Sequence, residues 1–264
     1  IPEGEKTGKG RAIQNLMQLP PDDKVRAILD VKDLKDEEIV NSNNIVLCTK
    51  KGIIKKTALE DFSRPRQTGV NAINIIEGDE QIEARMTDGN SEIMMAVKSG
   101  RAIGVGGSHV DDDNDEVVGM ICVNPATDVT KTVMVVSEKG YGKRTAVDEY
   151  RYTNRGGKGV KTINVTEKTG ALIGMLAVEE TQDIMITCKS GVTIRMPVSG
   201  ISEQGRATQG VKVIRLDEGD EIAAITKLDD QTEPENEENG PAENDNATQP
   251  GENPSTENNN EESI

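Results

Sequence analysis

The side chains here with the clearest chemical use are lysines and arginines, and they are gathered rather than scattered. One dense stretch runs from Lys139 to Lys161, with Lys143, Arg144, Arg151, Arg155, Lys158 and Lys161 set among Gly156, Gly157 and Gly159. Smaller groups are Lys9 and Arg11; Lys55, Lys56, Arg64 and Arg66; and Arg195, Arg206 and Lys212. Cations beside glycines suit phosphate, because the side chain brings charge while a backbone without Cβ lets its N–H groups come close. Taken singly, each lysine reads as a solvated loop residue; the recurrence of the cluster favours a polyanion, duplex DNA above all. Other chemistries find little footing. His109 is the only histidine, and Cys48, Cys122 and Cys188 have no CxxC spacing, which argues against a metal site. With one Phe, three Tyr and no Trp, the chain lacks the stacking platforms of single-strand and RNA readers. No Walker-type loop is present.

The elements that must position these cations repeat. The first copy has Asn44–Leu59, then a basic loop, then Thr68–Ile73 and Glu77–Ile82; the second has Glu92–Ile103. The third opens at Thr132 and contains the dense stretch, and the fourth has Asp183–Arg195, Gln209–Ile214 and Glu218–Ile222. Gly8–Ile13 looks like the second half of an earlier copy. The turn glycines Gly52, Gly100, Gly140 and Gly191 stand 48, 40 and 51 residues apart, a spacing that fits one four-stranded propeller blade per copy. Each copy reads as strand, Lys-(Lys/Ser)-Gly turn, strand, loop, Gly-Val strand, acidic turn, strand, with short Ile/Val-rich runs and no sustained helical period. In three copies a full basic loop separates the turn glycine from a Gly-Val pair: Gly52 from Gly69, Gly140 from Gly159, Gly191 from Gly210. In the second, Gly104 follows Gly100 almost at once. That copy therefore reads as shortened, with a weakly ordered outer edge. If position in the repeat fixes position on the blade, the basic loops share one surface band and the acidic turns (Glu77–Glu80, Asp111–Asp113, Asp217–Glu221) another.

Composition sets the outer limits. Residues 229–264 hold twelve of the 47 acidic residues and none of the 31 basic ones, so residues 1–228 carry 35 against 31. The net charge of −16 thus belongs mostly to this tail, whose Asn, Pro, Gly and Glu content predicts disorder. A polyanion tethered beside a basic band would compete with DNA. What precedes the tail is long enough for a core, built of Ile, Val, Leu, Met and Ala. No run of 18 apolar residues predicts a membrane span, and the unpaired cysteines suit a reducing cytoplasm.

The runs Gly140–Tyr150, Gly159-Val160, Val165-Thr166-Glu167 and Gly52–Thr57 resemble the carboxy-terminal domain of the DNA gyrase A family, and the resemblance extends over residues 5–228. It implies an all-β, six-bladed β-propeller of the β-pinwheel type, present here as a partial set of blades lacking the first. It also implies duplex DNA wrapped on a basic rim, in support of ATP-dependent negative supercoiling by a whole type IIA topoisomerase. The gyrase B protein, a second copy of the A protein, ATP and Mg²⁺ would act through parts outside this chain, in a bacterial cytoplasm. This stretch would be non-catalytic, with no cofactor of its own. The family's Gln-Arg-Arg-Gly-Gly-Lys/Arg-Gly box is expected before Ile1; Thr153–Gly159 keeps five of its seven positions in a later blade. Arg151-Tyr152-Thr153 is similar to the family's cleavage-tyrosine triplet, but it lies in a glycine-flanked loop, which argues against catalysis. The matching domain of topoisomerase IV, and a propeller that binds an acidic protein, are the alternatives.

Overall fold

The computed structural model describes residues 12, 15, 19, 23–64, 69–104, 115–124, 126–150 and 159–228. Lys9, Arg11, Arg66, Arg151, Arg155, Gly156, Gly157, Lys158, the 105–114 segment, the Tyr152 triplet and the acidic tail lie outside the described residues. No helix among the described residues is long and apolar enough to cross a membrane.

Each copy contains a hairpin. The hairpin strands are β1 (Asn44–Thr49) with β2 (Ile54–Ala58), β4 (Glu92–Val97) with β5 (Arg101–Gly104), β7 (Thr132–Ser137) with β8 (Tyr141–Ala146), and β11 (Asp183–Cys188) with β12 (Thr193–Pro197). Their turns require φ near +80 to +90°, which Gly52, Gly100, Gly140 and Gly191 supply. On the other side of each hairpin's first strand pairs a longer one: β3 (Gln81–Thr87), β6 (Val117–Val123), β10 (Leu172–Val178) and β14 (Ile222–Leu228). One helix was not foreseen in the sequence. It is the short α1 (Glu37–Ser42), capped by Asp36, whose carboxylate accepts from the N–H groups of Glu38 and Ile39.

The fourth strand of a blade does not come from its own copy. β9 (Val160–Lys161), the Gly-Val strand of the third copy, pairs with β5 of the second. β13 (Val211–Lys212), from the fourth copy, pairs with β8 of the third. The sheet orders are therefore β2-β1-β3, β6-β4-β5-β9, β10-β7-β8-β13 and β12-β11-β14. This corrects the assignment of all four strands to one copy. It also corrects the reading of Gly104, which pairs with Met94 inside the β4–β5 hairpin and is not the start of a Gly-Val strand.

Blades stack through β3, β6, β10 and β14, which pack against one another in series. A repeated bond ties each blade to the next: Val117, Leu172 and Ile222 donate their N–H to the turn carbonyls of Lys50, Lys98 and Glu138, at 2.8–3.0 Å. The apolar core lies between blades. Val46 and Cys48 meet Met95, Val97 and Met120; Ala96 and Ile121 meet Val133, Val135 and Met175; Met134 and Val136 meet Ile184, Ile186 and Ile222. Side chains alternate along a strand, so Val133 and Val135 face the second blade while Met134 and Val136 face the fourth. That is why β7 has an unbroken apolar centre, Val133–Val136, and is buried at all six positions. β11, at the end of the described series, alternates between buried and half-buried.

Candidate nucleic-acid interface

Because the inner strands join the blades, the outermost strands are β2, β9, β13 and β12, and the cations that follow each turn glycine fall on or beside them. Lys161 and Lys212 occupy the same place in two successive blades. Each is the second residue of a borrowed strand and pairs with the residue just after a turn glycine, Lys161 with Arg101 and Lys212 with Tyr141. Both side chains are exposed, and neither makes an ion pair among the described residues. The Lys161 ammonium donates to Asn164 Oδ1 at 3.1 Å. The Lys212 ammonium lies 6.0 Å from the centroid of the Tyr141 ring, and that of Lys168 lies 5.4 Å from it. Arg101 donates from Nη2 to the Gly159 carbonyl at 3.3 Å. Arg206 reaches between the two blades, with Nη1 donating to the Lys161 carbonyl at 3.2 Å. Arg101, Lys161, Arg206, Lys168 and Lys212 thus form one positive strip across the second and third blades.

The other positions in the sequence reading divide. Lys56 and Arg64 are exposed beside the first blade. Lys55 is exposed too, although its ammonium donates to the Ala72 carbonyl at 2.7 Å. Arg195 on β12 is paired with Asp183 at 2.5 Å and so is partly neutralised. Lys143 and Arg144 are not on the surface: they are 0% and 7% exposed. Lys143 Nζ donates to the carbonyls of Gly205 and Arg206 at 2.5 and 2.6 Å, and burial pushes its pKa down to about 8. Arg144 donates from Nε to the Ile201 carbonyl at 2.8 Å and meets Glu180 at 3.2 Å. Gly159 is also buried. Its φ is +63°, and a Cβ there would stand 2.7 Å from the Ala102 carbonyl, so it serves the borrowed strand and not an approaching phosphate. Arg101 and Lys168 were missed by the sequence reading. The signal for Arg101 was its place directly after Gly100, masked by treating that copy as truncated.

The acidic turns that the structure describes bond to a different set of cations from the basic loops of the sequence reading. They interlock with the lysines that precede the turn glycines. Lys50 bridges Glu80 at 3.6 Å and Glu116 at 2.9 Å, Lys98 faces Glu116 at 3.8 Å, and Lys189 pairs with Glu221 at 2.5 Å. The hydrogen bond from Lys50 holds the Glu116 carboxyl below its ordinary pKa, and the same bond raises Lys50. Asp79, Asp115 and Asp220 accept from the turn N–H groups of Lys51, Ser99 and Ser190 at 2.9–3.2 Å. Charge before the glycine is engaged by the acidic turns, and Lys50 alone of these three lysines also reaches the next blade. After it, Lys161 and Lys212 on the borrowed strands are the cations left open to a partner.

The family is settled by comparison with known proteins. The model of the DNA gyrase C-terminal domain, a β-propeller, matches residues 43–84, 97–124, 131–179 and 182–229. The chain belongs to the DNA gyrase A C-terminal domain family. The DNA gyrase A protein of Staphylococcus aureus is 38% identical over 253 residues, 90% of this chain and 28% of that protein. That of Staphylococcus epidermidis is 37% identical over 246 residues, 88% of this chain and 27% of its own length. The chain therefore spans little more than a quarter of these relatives. A solved DNA gyrase A C-terminal domain superposes with a TM-score of 0.70 at 23% identity, covering 83% of this chain and 75% of that one. The C-terminal domain of DNA topoisomerase IV superposes with 0.71 at 18%, covering 83% and 70%. At those identities the two structures speak for the β-propeller fold alone.

Proposed function

We propose that this chain binds duplex DNA along its outer strands and, as part of a full-length DNA gyrase, wraps it to support ATP-dependent negative supercoiling. One observation carries the reading: Lys161 and Lys212 recur at the same place on neighbouring blades, on strands that the repeat itself sets side by side. Both are exposed and, among the described residues, without a carboxylate partner. Each phosphate neutralised by such a lysine releases condensed counterion, so affinity falls with salt at a log–log slope of roughly −0.9 per contact. Bending a 20–30 bp duplex by 40–90° costs on the order of 1–6 kcal/mol, which a strip of contacts spanning several blades offsets. The strip carries no sequence-reading helix, which suits backbone contact over base readout.

The gyrase B protein, a second copy of the A protein, ATP and Mg²⁺ belong to the proposed whole enzyme. Among the described residues no group of three or more His, Cys, Asp or Glu side chains is arranged to hold a metal ion, and nothing in this stretch is assigned to nucleotide chemistry. The corresponding domain of topoisomerase IV, which shares the fold, is the second reading.

Ligation of nicked circular plasmid in the presence of the chain tests the proposal. Wrapping changes the linking number of the closed product in proportion to protein added. Retarded DNA with unchanged linking number would support simple binding, and no association at low salt would overturn the DNA reading altogether.

A further inference from the structure

Lys143 and Arg144 are buried cations on the outer strand of the third blade, and what covers them is a piece of chain from the fourth copy. The segment Ile201–Arg206 leaves β12, crosses β8 and leads into β13. Three consecutive residues of β8 grip it. Lys143 gives its ammonium to the carbonyls of Gly205 and Arg206. Arg144 gives its Nε to the Ile201 carbonyl, while its backbone donates to Ser202 O at 3.0 Å and accepts from Gln204 N–H at 2.8 Å. Thr145 Oγ1 donates to the Gln204 carbonyl at 2.9 Å. These side-chain donors aim at backbone carbonyls of the segment, so what they fix is the path of the chain, whatever side chains the segment bears. At the end of that path the Arg206 N–H is received by Glu149 Oε2 at 2.9 Å, and its guanidinium is directed to the Lys161 carbonyl on the second blade's borrowed strand.

We infer that Lys143 and Arg144 are positioning residues: they clamp the crossing segment on β8 and thereby set Arg206 beside Lys161, joining the positive patches of two blades into one strip. The inference rests on the DNA reading above. It assigns to the most basic pair of the third hairpin a role one step removed from the phosphate. Without the two side chains the segment keeps its backbone bonds to Arg144, the Thr145 bond and the Arg206 N–H bond to Glu149, but it is held less tightly over β8 and Arg206 is less fixed at the seam.

The test is a double-mutant cycle in the full chain, with a short DNA duplex as probe and affinity measured as a function of salt. Arg206→Ala weakens binding about three- to tenfold and lowers the salt slope by about one, the loss expected for a phosphate contact. Lys143→Met gives the same loss together with faster amide exchange across 201–206, and the double variant is no worse than either single one. Additive losses, or Lys143→Met binding like the parent, overturn the clamp while leaving DNA binding intact. Failure of the parent to bind overturns the DNA reading instead. If Lys143→Met does not fold, Thr145→Val deletes the bond to Gln204 together with the hydroxyl's contact to Tyr150, which lies away from the segment. It then has to speed exchange in the segment and weaken binding about twofold, a small share of the loss set for a whole contact. Unchanged affinity with faster exchange sinks the proposal.

Discussion

The second and third blades are finished by a strand reaching back from the following copy, whereas the first and fourth have three strands among the described residues. Equivalent positions behave differently as a result. After the turn glycine stand Arg101 and Tyr141 in the finished blades, each paired with a borrowed lysine. In the other two stand Ile53 and Val192, 36% and 51% exposed. Two residues further on, Lys143 is sealed under a crossing segment while Lys55 lies in solvent. β8 is buried through its centre, but β2 and β12 have no buried residue and mix half-buried with exposed positions, among them Lys55, Lys56, Arg195 and Pro197. Whether a cation in this repeat is structural or available thus depends on the next copy. Its own copy does not decide it.

The widest gap between the two kinds of blade is expected at the turn glycines. A Cβ on Gly140 would stand 2.6 Å from the Ile214 carbonyl, brought there by the borrowed strand, whereas Gly191 has no atom within 4 Å. Both have positive φ, which costs a non-glycine residue about 1–2 kcal/mol. Overpacking adds about 1–3 kcal/mol in the first case only. Urea unfolding should therefore show Gly140→Ala losing roughly 2–5 kcal/mol and Gly191→Ala no more than about 2 kcal/mol. Equal losses would mean the seam yields and the contrast is illusory. Next comes Met134, fully buried between the third and fourth blades, against Met185, its half-buried equivalent on β11. Met134→Ala should cost about 2–5 kcal/mol, and Met185→Ala well under half of its partner's loss, measured the same way.

Much of this was legible in the residues. The even recurrence of the turn glycines, the Lys-Gly turns and the apolar runs lead straight to repeated hairpins, because turn chemistry and strand alternation are local. The partner of a two-residue strand is not local. Nothing in Gly159-Val160-Lys161 says that it pairs with Arg101, far back in the chain, and not with β8 beside it. The burial of Lys143 follows from that same exchange, as does the structural duty of Gly159. The role of the acidic turns was hidden in another way. Their charge was visible, but their hydrogen bonds to the turn N–H groups of Lys51, Ser99 and Ser190 depend on the fold returning each copy to its own hairpin.

The buried ammonium of Lys143 offers a subtler separation. Its pKa is depressed to about 8 from an ordinary 10.5, so between those values the unfolded chain binds more protons than the folded one. Stability from this group is therefore fully present above pH 10.5 and is lost as pH falls through about 8. The slope is at most about 1.4 kcal/mol per pH unit. Cys48 and Cys122, pushed up to about 12 and 11 by burial, act in the opposite sense above pH 9. Subtracting the Lys143→Met curve from the parent's removes their share. That difference should grow in the parent's favour from about pH 8 to 10; a flat difference would place the ammonium in water.

The smallest effect concerns the outer strands themselves. Lys212 sits on a borrowed strand with no carboxylate partner among the described residues, while Arg195 on β12 is held by Asp183. If charge left open is what meets phosphate, Lys212→Ala lowers the salt slope for duplex binding by about one contact, and Arg195→Ala moves it less. Part of the arginine's charge is already answered, and an exposed pair of this kind is itself worth only about 0–1 kcal/mol. Asp183→Asn then sharpens the contrast: it should free Arg195 and raise the slope toward that of one added contact. A slope that ignores Lys212 yet responds to Arg195 would move the DNA path from the borrowed strands to the fourth blade's open edge. The strip across the second and third blades would then be a byproduct of how the repeats join.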